Sequence, residues 1–152
     1  MNKNVILGCN FFLMKHSFYL FITALLFAAC GSSVNESSLK NLNGYWEVAK
    51  VVFPDGSEKI LPPSETHDYY EYKDQKGFRK KVSPLVTGNY LVNNLKDEFV
   101  ISTKENIFYM NYKTFLSTWS EQIQSIDESQ LVLVSEEKYE YHYKRPQSFS
   151  VK

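Results

Sequence analysis

The feature of this chain that most limits what it can fold into is a period-two alternation of aromatic and polar side chains. In residues 139–144, tyrosine occupies every second position, and glutamate, histidine and lysine occupy the positions between. Successive side chains of a β-strand point to opposite faces, so this pattern is typical of a strand with one buried face. Similar alternation recurs from Leu42 onward, with turn residues between the segments. Many short antiparallel strands in about 110 residues predict a β-sandwich or a closed β-barrel.

The predicted strands are rich in β-branched and aromatic residues, and turn-forming Pro, Gly, Asn or Asp residues separate them. They cover residues 45–53, 57–61, 68–74, 77–82, 86–93, 98–104, 106–113, 117–125, 130–136 and 139–144. Helical spacing competes in residues 115–126, where Phe115, Trp119 and Ile123 recur every four positions. Because these separations are even, the three side chains also share one face of a strand, and the Ser, Thr and Gln content favours the strand. The length suits one domain, so we expect a single all-β domain over residues 42–152.

The first 29 residues differ from this pattern and have the form of a signal peptide. They contain no acidic residue, and a short basic segment at 14–17 precedes a predominantly apolar run of twelve residues at 18–29. A bilayer-spanning helix needs about 20 residues, so this run is too short to span and suits the apolar region of a signal peptide. Met14 gives a more compact signal peptide than Met1 and is the expected start of translation.

The sequence Ala28-Ala29-Cys30 places two small residues before a cysteine and resembles the lipobox of bacterial lipoproteins. That resemblance implies cleavage before Cys30, attachment of diacylglycerol to its sulfur, and acylation of the new amine, with palmitate as the expected acyl chain. Secretion with cleavage after Ala29 and an uncleaved membrane anchor are the alternatives. On the lipoprotein interpretation, residues 30–41 are the lipidated cysteine and a flexible tether. The protein is then anchored in the cell envelope, and we expect the outer membrane of a Gram-negative bacterium.

Charge, cysteine content and motifs exclude several classes of function. Seventeen Lys and Arg balance 17 Asp and Glu, whereas nucleic-acid binders carry a clustered basic excess. Cleavage would leave Cys30 as the only cysteine, so we expect no disulfide. His67 and His142 are far apart in sequence, and we predict no metal site. No familiar catalytic motif is present, so we expect neither catalysis nor a cofactor. The basic run at 79–81 is interpreted as a solvated strand edge, with membrane phosphate as an alternative contact.

Two motifs at the ends of the domain resemble those of lipocalin-like proteins. Gly44-Tyr45-Trp46 matches the Gly-x-Trp with which that family opens its first strand. Arg145 follows the tyrosine-rich last strand, where the family carries a basic residue that packs over this tryptophan at the closed floor of the barrel. Residues 119–146 also resemble the ends of small bacterial lipocalin-like lipoproteins. The resemblance implies a single up-and-down antiparallel barrel of about eight strands, with Trp46 and Arg145 at its floor.

The side chains predicted to face the barrel interior are mostly large and apolar. Those assigned to a ligand-binding cavity are Val48, Phe99, Ile101, Met110, Tyr112, Trp119, Tyr139 and Tyr141. An eight-stranded barrel is just wide enough either to fill with side chains or to hold one small ligand, and both alternatives stay open. The expected function is non-catalytic binding of a small hydrophobic ligand. The alternative is a structural or interaction lipoprotein with a filled barrel, which would contact an as yet undefined envelope protein through residues 61–64 and 69–72.

Overall fold

The computed structural model describes residues 34–85, 87–93 and 95–147. A 3-10 helix, Glu36–Leu42, precedes ten strands. The strands are β1 (Gly44–Val52), β2 (Glu58–Ile60), β3 (His67–Lys73), β4 (Lys76–Pro84), β5 (Tyr90–Val92), β6 (Asp97–Lys104), β7 (Ile107–Lys113), β8 (Thr118–Ile126), β9 (Gln130–Ser135) and β10 (Glu140–Lys144). None of the helices in these residues is long and apolar enough to cross a membrane. The predicted signal peptide and Cys30 lie outside the described residues.

The strands close into an up-and-down antiparallel barrel. Pairing runs β1-β3-β4-β6-β7-β8-β9-β10, and β10 pairs back with β1, from Val52 opposite Glu140 to Glu47 opposite Lys144. Closure joins the first strand to the last and leaves these eight strands without a free edge. The predicted architecture, a single up-and-down barrel of about eight antiparallel strands, is confirmed, and so is the assignment of 117–125 as strand.

Two positions in the barrel wall are each shared by two strands, one of which has only three residues. β2 pairs with the end of β1 at residues 50–52, and β3 pairs with the start of β1 at residues 44–46. Between β2 and β3, residues 61–66 leave the sheet after the Leu61 amide donates to the Ala49 carbonyl over 2.9 Å. β5 and β6 divide one edge of β4 in the same manner. The wall is therefore interrupted beside β1, near the end of the barrel opposite the 3-10 helix.

The 3-10 helix closes the floor of the barrel. The Asn35 side chain caps it by accepting from the Ser38 amide over 2.9 Å. Leu39 and Leu42 are fully buried and belong to the core. The prediction of a flexible tether over residues 30–41 is therefore wrong for residues 36–41. An apolar residue every third position lets one face of this short helix pack inside the barrel.

Trp46 and Arg145 hold the same end together. The Trp46 indole donates from Nε1 to the Leu42 carbonyl over 2.8 Å, and the Arg145 Cζ lies 3.6 Å from the indole centroid. The guanidinium also donates to the carbonyls of Asn41 and Asn43, at 2.7 and 3.1 Å. The cation thus covers the indole face and satisfies backbone carbonyls at the junction of the helix with β1.

The interior above this floor is densely filled with large side chains. The core residues that are buried on the strands are Trp46, Tyr70, Phe99, Ile101, Met110, Tyr112, Ile123, Ile126, Leu131, Leu133 and Tyr143. β-Bulges at Ala49 on β1 and Gln124 on β8 shift the register by one residue. The first bulge brings Val51 opposite Tyr141, on the face shared with Tyr143, so the inward face of β1 continues to its end.

Two predicted strand boundaries need correction. Residues 86–93 were predicted as one strand, but among the described residues 87–93 only Tyr90–Val92 forms a strand. The preceding residues form a turn in which the Gly88 amide donates to the Leu85 carbonyl over 2.9 Å, with Gly88 at φ +83°. Tyr139 was predicted at the start of the last strand, but β10 begins one residue later, after a turn with Lys138 at φ +68°.

Candidate binding site at the barrel mouth

A half-open cavity of about 390 Å³ lies beside the 61–66 connection, and we call it the mouth pocket. Its apolar lining consists of Val48, Val51, Leu61, Pro62, Pro63 and Tyr141, and its polar lining of Ser64, Thr66, Asp68 and Lys81. The pocket forms where β3 has not yet begun and β2 has ended, so loop residues take the place of a strand. A concave site of this size with a mostly apolar lining and few polar groups is typical of small-molecule sites.

The 61–66 connection is held in place by hydrogen bonds to the outside of β1. The Ser64 amide donates to the buried Glu47 carboxylate over 2.9 Å, and Lys144 lies 3.8 Å from the other carboxylate oxygen. The Thr66 amide donates to the Ser64 hydroxyl over 3.1 Å. Pro62 and Pro63 carry no amide hydrogen, so they can leave the sheet without an unsatisfied donor. These contacts fix one side of the mouth pocket.

An ion pair forms the polar part of the pocket. Asp68 on β3 lies directly opposite Lys81 on β4, and the ammonium is 2.7 and 2.9 Å from the two carboxylate oxygens. The Asp68 side chain is 1% exposed, whereas that of Lys81 is 59% exposed. The lysine therefore reaches from solvent to a carboxylate inside the barrel, and its methylene groups border the pocket.

Below this pair lies an interior polar cluster, made of Tyr70, Arg79, Tyr112, Glu121 and Tyr143. Arg79 is 3.0 Å from Asp97 and 3.7 Å from Glu121, and its Cζ lies 5.0 Å from the Tyr112 ring centroid. Its side chain is only 14% exposed. A guanidinium inside the barrel is accommodated because two carboxylates and an aromatic face surround it.

Burial and neighbouring charges perturb the titration of this cluster. Burial acts to lower the pKa of Arg79, but the surrounding Tyr70, Tyr112 and Glu121 outweigh it, and the pKa of Arg79 is raised. Burial raises the pKa of Glu121, and the charge of Arg79 opposes this in part. Burial also raises the pKa of Tyr70 and Tyr112 well above 10, so both phenols keep their protons at neutral pH.

Two polar atoms of the cluster have no hydrogen-bond partner among the described residues. They are the Tyr70 hydroxyl and the Glu121 Oε2 atom, and both are buried. A buried polar atom without a partner costs about 1–3 kcal/mol, so each can gain by meeting a polar atom of a small molecule or of water. Neither residue lines the mouth pocket, so both are unsatisfied polar groups of the packed interior below it.

The structure separates the residues predicted for ligand binding into two groups and one further residue, Tyr139. Val48 and Tyr141 line the mouth pocket. The other group lies within or beside the packed core and lines none of the mouth pocket, and consists of Phe99, Ile101, Met110, Tyr112 and Trp119. Tyr139 lies before β10 and packs edge-on against Phe53, with ring centroids 5.7 Å apart. Their role in ligand binding stays a prediction.

Sequence reasoning missed the charged residues of the interior. The run at 79–81 was predicted to be a solvated strand edge, and this is wrong for Arg79, which pairs with Tyr70 and points inward with it. Glu121 lies between Trp119 and Ile123 on the face already predicted to be buried, so the alternation itself placed it inside. The predicted surface aromatics at 69–72 also differ from expectation, because Tyr70 is fully buried.

The described residues include no group of three or more His, Cys, Asp or Glu side chains that could hold a metal ion. Glu47 and Asp68 lie near His67 at the start of β3, and burial lowers the pKa of His67 against the opposing effect of these two carboxylates. The His67 Nδ1 atom instead lies 3.4 Å from the Tyr90 hydroxyl. The arrangement fits a packed histidine on the outside of the barrel.

No family model and no curated protein matches the sequence. Among solved structures, the chain is similar to a lipocalin-like protein from Bacteroides uniformis, with 12% identity, a TM-score of 0.43, and coverage of 70% of this chain and 99% of the other. An uncharacterized protein from Bacteroides eggerthii gives 10% identity, a TM-score of 0.44, and coverage of 69% and 99%. Apocrustacyanin C2 gives 12% identity, a TM-score of 0.46, and coverage of 76% and 67%.

Proposed function

We propose that this protein binds a small, largely hydrophobic molecule in the mouth pocket, without catalysis, while a lipid on Cys30 anchors it in the cell envelope. The observation that carries the proposal is the lining of the pocket, in which six apolar side chains face an ion pair between the buried Asp68 carboxylate and the solvent-exposed Lys81. Val48, Val51 and the prolines offer apolar surface to the body of a ligand. Asp68, Lys81 and the Tyr141 hydroxyl can orient a polar end.

The filled lower half of the barrel limits how deep a ligand can go. Trp46, Met110, Leu131 and Leu133 are fully buried, so the interior below the pocket is filled. A ligand therefore occupies the upper part of the barrel, between β1, β10 and the 61–66 connection. The pocket volume of about 390 Å³ suits a small molecule or one end of a longer chain.

The experiment is native mass spectrometry of the full chain purified gently from its host. Val51→Trp places a large side chain in the pocket, whereas Val52→Trp places the same side chain on the opposite face of β1. We expect a non-covalent mass, lost on denaturation, on the original protein and on Val52→Trp, and its loss from Val51→Trp. Urea unfolding checks that both variants fold, and Val51→Phe replaces Val51→Trp if the latter does not.

If folded Val51→Trp still carries the non-covalent additional mass, the ligand binds outside the mouth pocket. A clean apo mass for the original protein would instead favour the second candidate, an interaction lipoprotein with a filled barrel. The dense packing of the floor favours that candidate, because a solid barrel needs no ligand for its stability. Crosslinking in intact cells would then identify the envelope protein in contact with it.

A further inference from the structure

Asp68 is a buried carboxylate in the lining of the mouth pocket, and a single cation satisfies it. Its Oδ2 atom accepts a hydrogen bond from the Lys81 ammonium over 2.9 Å. Its Oδ1 atom lies 2.7 Å from the same ammonium but outside hydrogen-bond geometry, and it has no other partner among the described residues. Because an ionised carboxylate can accept several hydrogen bonds, this one can still accept from a donor that enters the pocket.

Lys81 is a partner that can leave this carboxylate. Its side chain is mostly exposed, so the ion pair joins a solvated lysine to a buried acid. A long lysine side chain can return its ammonium to water, where the ammonium is strongly hydrated. Asp68 cannot follow, because β3 holds it on the inward face of the barrel, opposite Lys81. The carboxylate is therefore the fixed member of the pair.

The charged side chains below Asp68 do not supply a second cation for it. Arg79 lies 3.0 Å from Asp97 and 3.7 Å from Glu121, so two other carboxylates share its positive charge. Burial raises the pKa of Glu121, and the charge of Asp68 adds to this effect, so the two acids interact electrostatically. A further positive charge beside Asp68 is therefore favourable.

Two further lysines lie near the pocket without lining it. Lys144 is 3.8 Å from the buried Glu47 carboxylate on the outside of β1, and Lys59 on β2 is exposed. A ligand carboxylate in the pocket would meet Lys81 together with the buried Asp68, which repels it. A ligand ammonium would meet Asp68 alone once Lys81 turns to solvent. The charges of the pocket therefore favour a cationic group over an anionic one.

We propose that the ligand of the mouth pocket is an amphipathic amine, whose ammonium replaces that of Lys81 on Asp68. This inference rests on the proposed function, because it concerns the same pocket. The exchange keeps one cation on the buried carboxylate and returns the lysine to water, so the charge balance of the interior is unchanged. The hydrophobic body of the amine packs against Val48, Val51 and Tyr141 in the apolar lining, and this burial favours binding.

The test compares three ligands that share one alkyl chain and differ in the polar head: decylamine, decanoic acid and 1-decanol. Each is titrated into the full chain at neutral pH, below its critical micelle concentration, and the heat of binding is measured. At this pH the amine is protonated and the acid is ionised. Asp68→Asn removes the buried charge and keeps the shape of the side chain. Glu58→Gln is the matched control, because it breaks an ion pair with Lys50 outside the pocket lining.

We expect the original protein and Glu58→Gln to bind decylamine at least about tenfold more tightly than the other two ligands, because only the amine donates a charge-assisted hydrogen bond to a carboxylate. Asp68→Asn should reduce this preference to less than about twofold, while all three ligands still bind. Lys81→Gln should keep or increase the preference, because it removes the competing ammonium. Urea unfolding checks that each variant folds.

Tightest binding of decanoic acid, with the preference lost in Lys81→Gln, would overturn the inference and make Lys81 the contact of an acidic head. Equal binding of the three ligands would also overturn it. In both cases, loss of binding in Val51→Trp would leave the proposed function in place, because the ligand would still occupy the mouth pocket. If none of the three ligands binds, the amine inference fails, and the native mass spectra decide the proposed function separately.

Discussion

Glu121 lies on the inward face of β8 between Trp119 and Ile123, and Arg79 lies on the inward face of β4 between Gly77 and Lys81. Arg79 is enclosed by Tyr112, Asp97 and Glu121, and this arrangement keeps a full positive charge inside the barrel. Glu121 Oε2 lacks a partner among the described residues, which makes this carboxylate the least satisfied charge of the cluster. Single substitutions at these positions should therefore act through charge more than through volume.

Glu121→Gln should gain stability relative to the original protein as pH rises through the pKa of Glu121 in the folded protein. Burial raises the pKa of Glu121 in the folded protein above its ordinary value of 4.5. At pH values between the pKa of Glu121 in the unfolded state and its pKa in the folded state, the folded protein binds more protons than the unfolded chain. The protonated carboxyl therefore stabilises the original protein at low pH, and this stabilisation is lost as pH rises through the folded-state pKa. Glutamine removes this dependence and keeps the shape.

Urea unfolding of both proteins at several pH values checks this prediction. The free energy of unfolding of the variant, relative to that of the original protein, should fall toward acid pH and rise toward neutral pH. A difference in unfolding free energy that stays constant with pH, or that moves in the opposite direction, would show that the pKa of Glu121 is not raised on folding.

At the scale of elements, the 3-10 helix Glu36–Leu42 is part of the barrel because its apolar side chains close the floor. Leu39→Ala should lower the free energy of unfolding by about 2–5 kcal/mol, because it removes a fully buried side chain from a closed space. Lys40→Ala, one residue along on the exposed side, should change it by less than about 0.5 kcal/mol. If urea unfolding shows equally small effects for both substitutions, the helix does not contribute to the packed floor and belongs to the flexible tether.

Most strands could be predicted because their two faces differ in polarity. Tyr141 and Tyr143 alternate with polar neighbours, and the buried face of β10 follows directly from that pattern. The 3-10 helix was not predictable in this way, because Leu39 and Leu42 stand in a polar segment that resembles a linker until the barrel floor covers them. Local composition does not show that these leucines are buried, because they become buried only when the sheet closes into a barrel.

The candidate site was predictable only in part. Val48 and Tyr141 follow from strand parity, and both line the mouth pocket. Val51 was not found, because the bulge at Ala49 reverses the parity of β1 and nothing in the local sequence marks it. Asp68 and Lys81 were not found either, because charged residues on inward positions are rare and their pairing requires knowledge of the β3–β4 register.

At the scale of the whole molecule, the barrel has two ends with different roles. The floor is sealed by Trp46, Arg145 and the 3-10 helix, and it supplies packing. The opposite end holds the mouth pocket and the exposed turn at 114–117. Strands of the closed sheet position one side of the pocket through Val48, Val51 and Tyr141, and the 61–66 connection forms the other side.

The measurement that tests the central claim most directly is a crystal structure of the protein as purified from its host, with no ligand added. The account predicts electron density for a small molecule enclosed by Val51, Tyr141 and the 61–66 connection, with its polar end toward Asp68 and Lys81. A structure in which residues 61–66 lie against Tyr141 and close the pocket, or in which a bound molecule lies elsewhere, would contradict it.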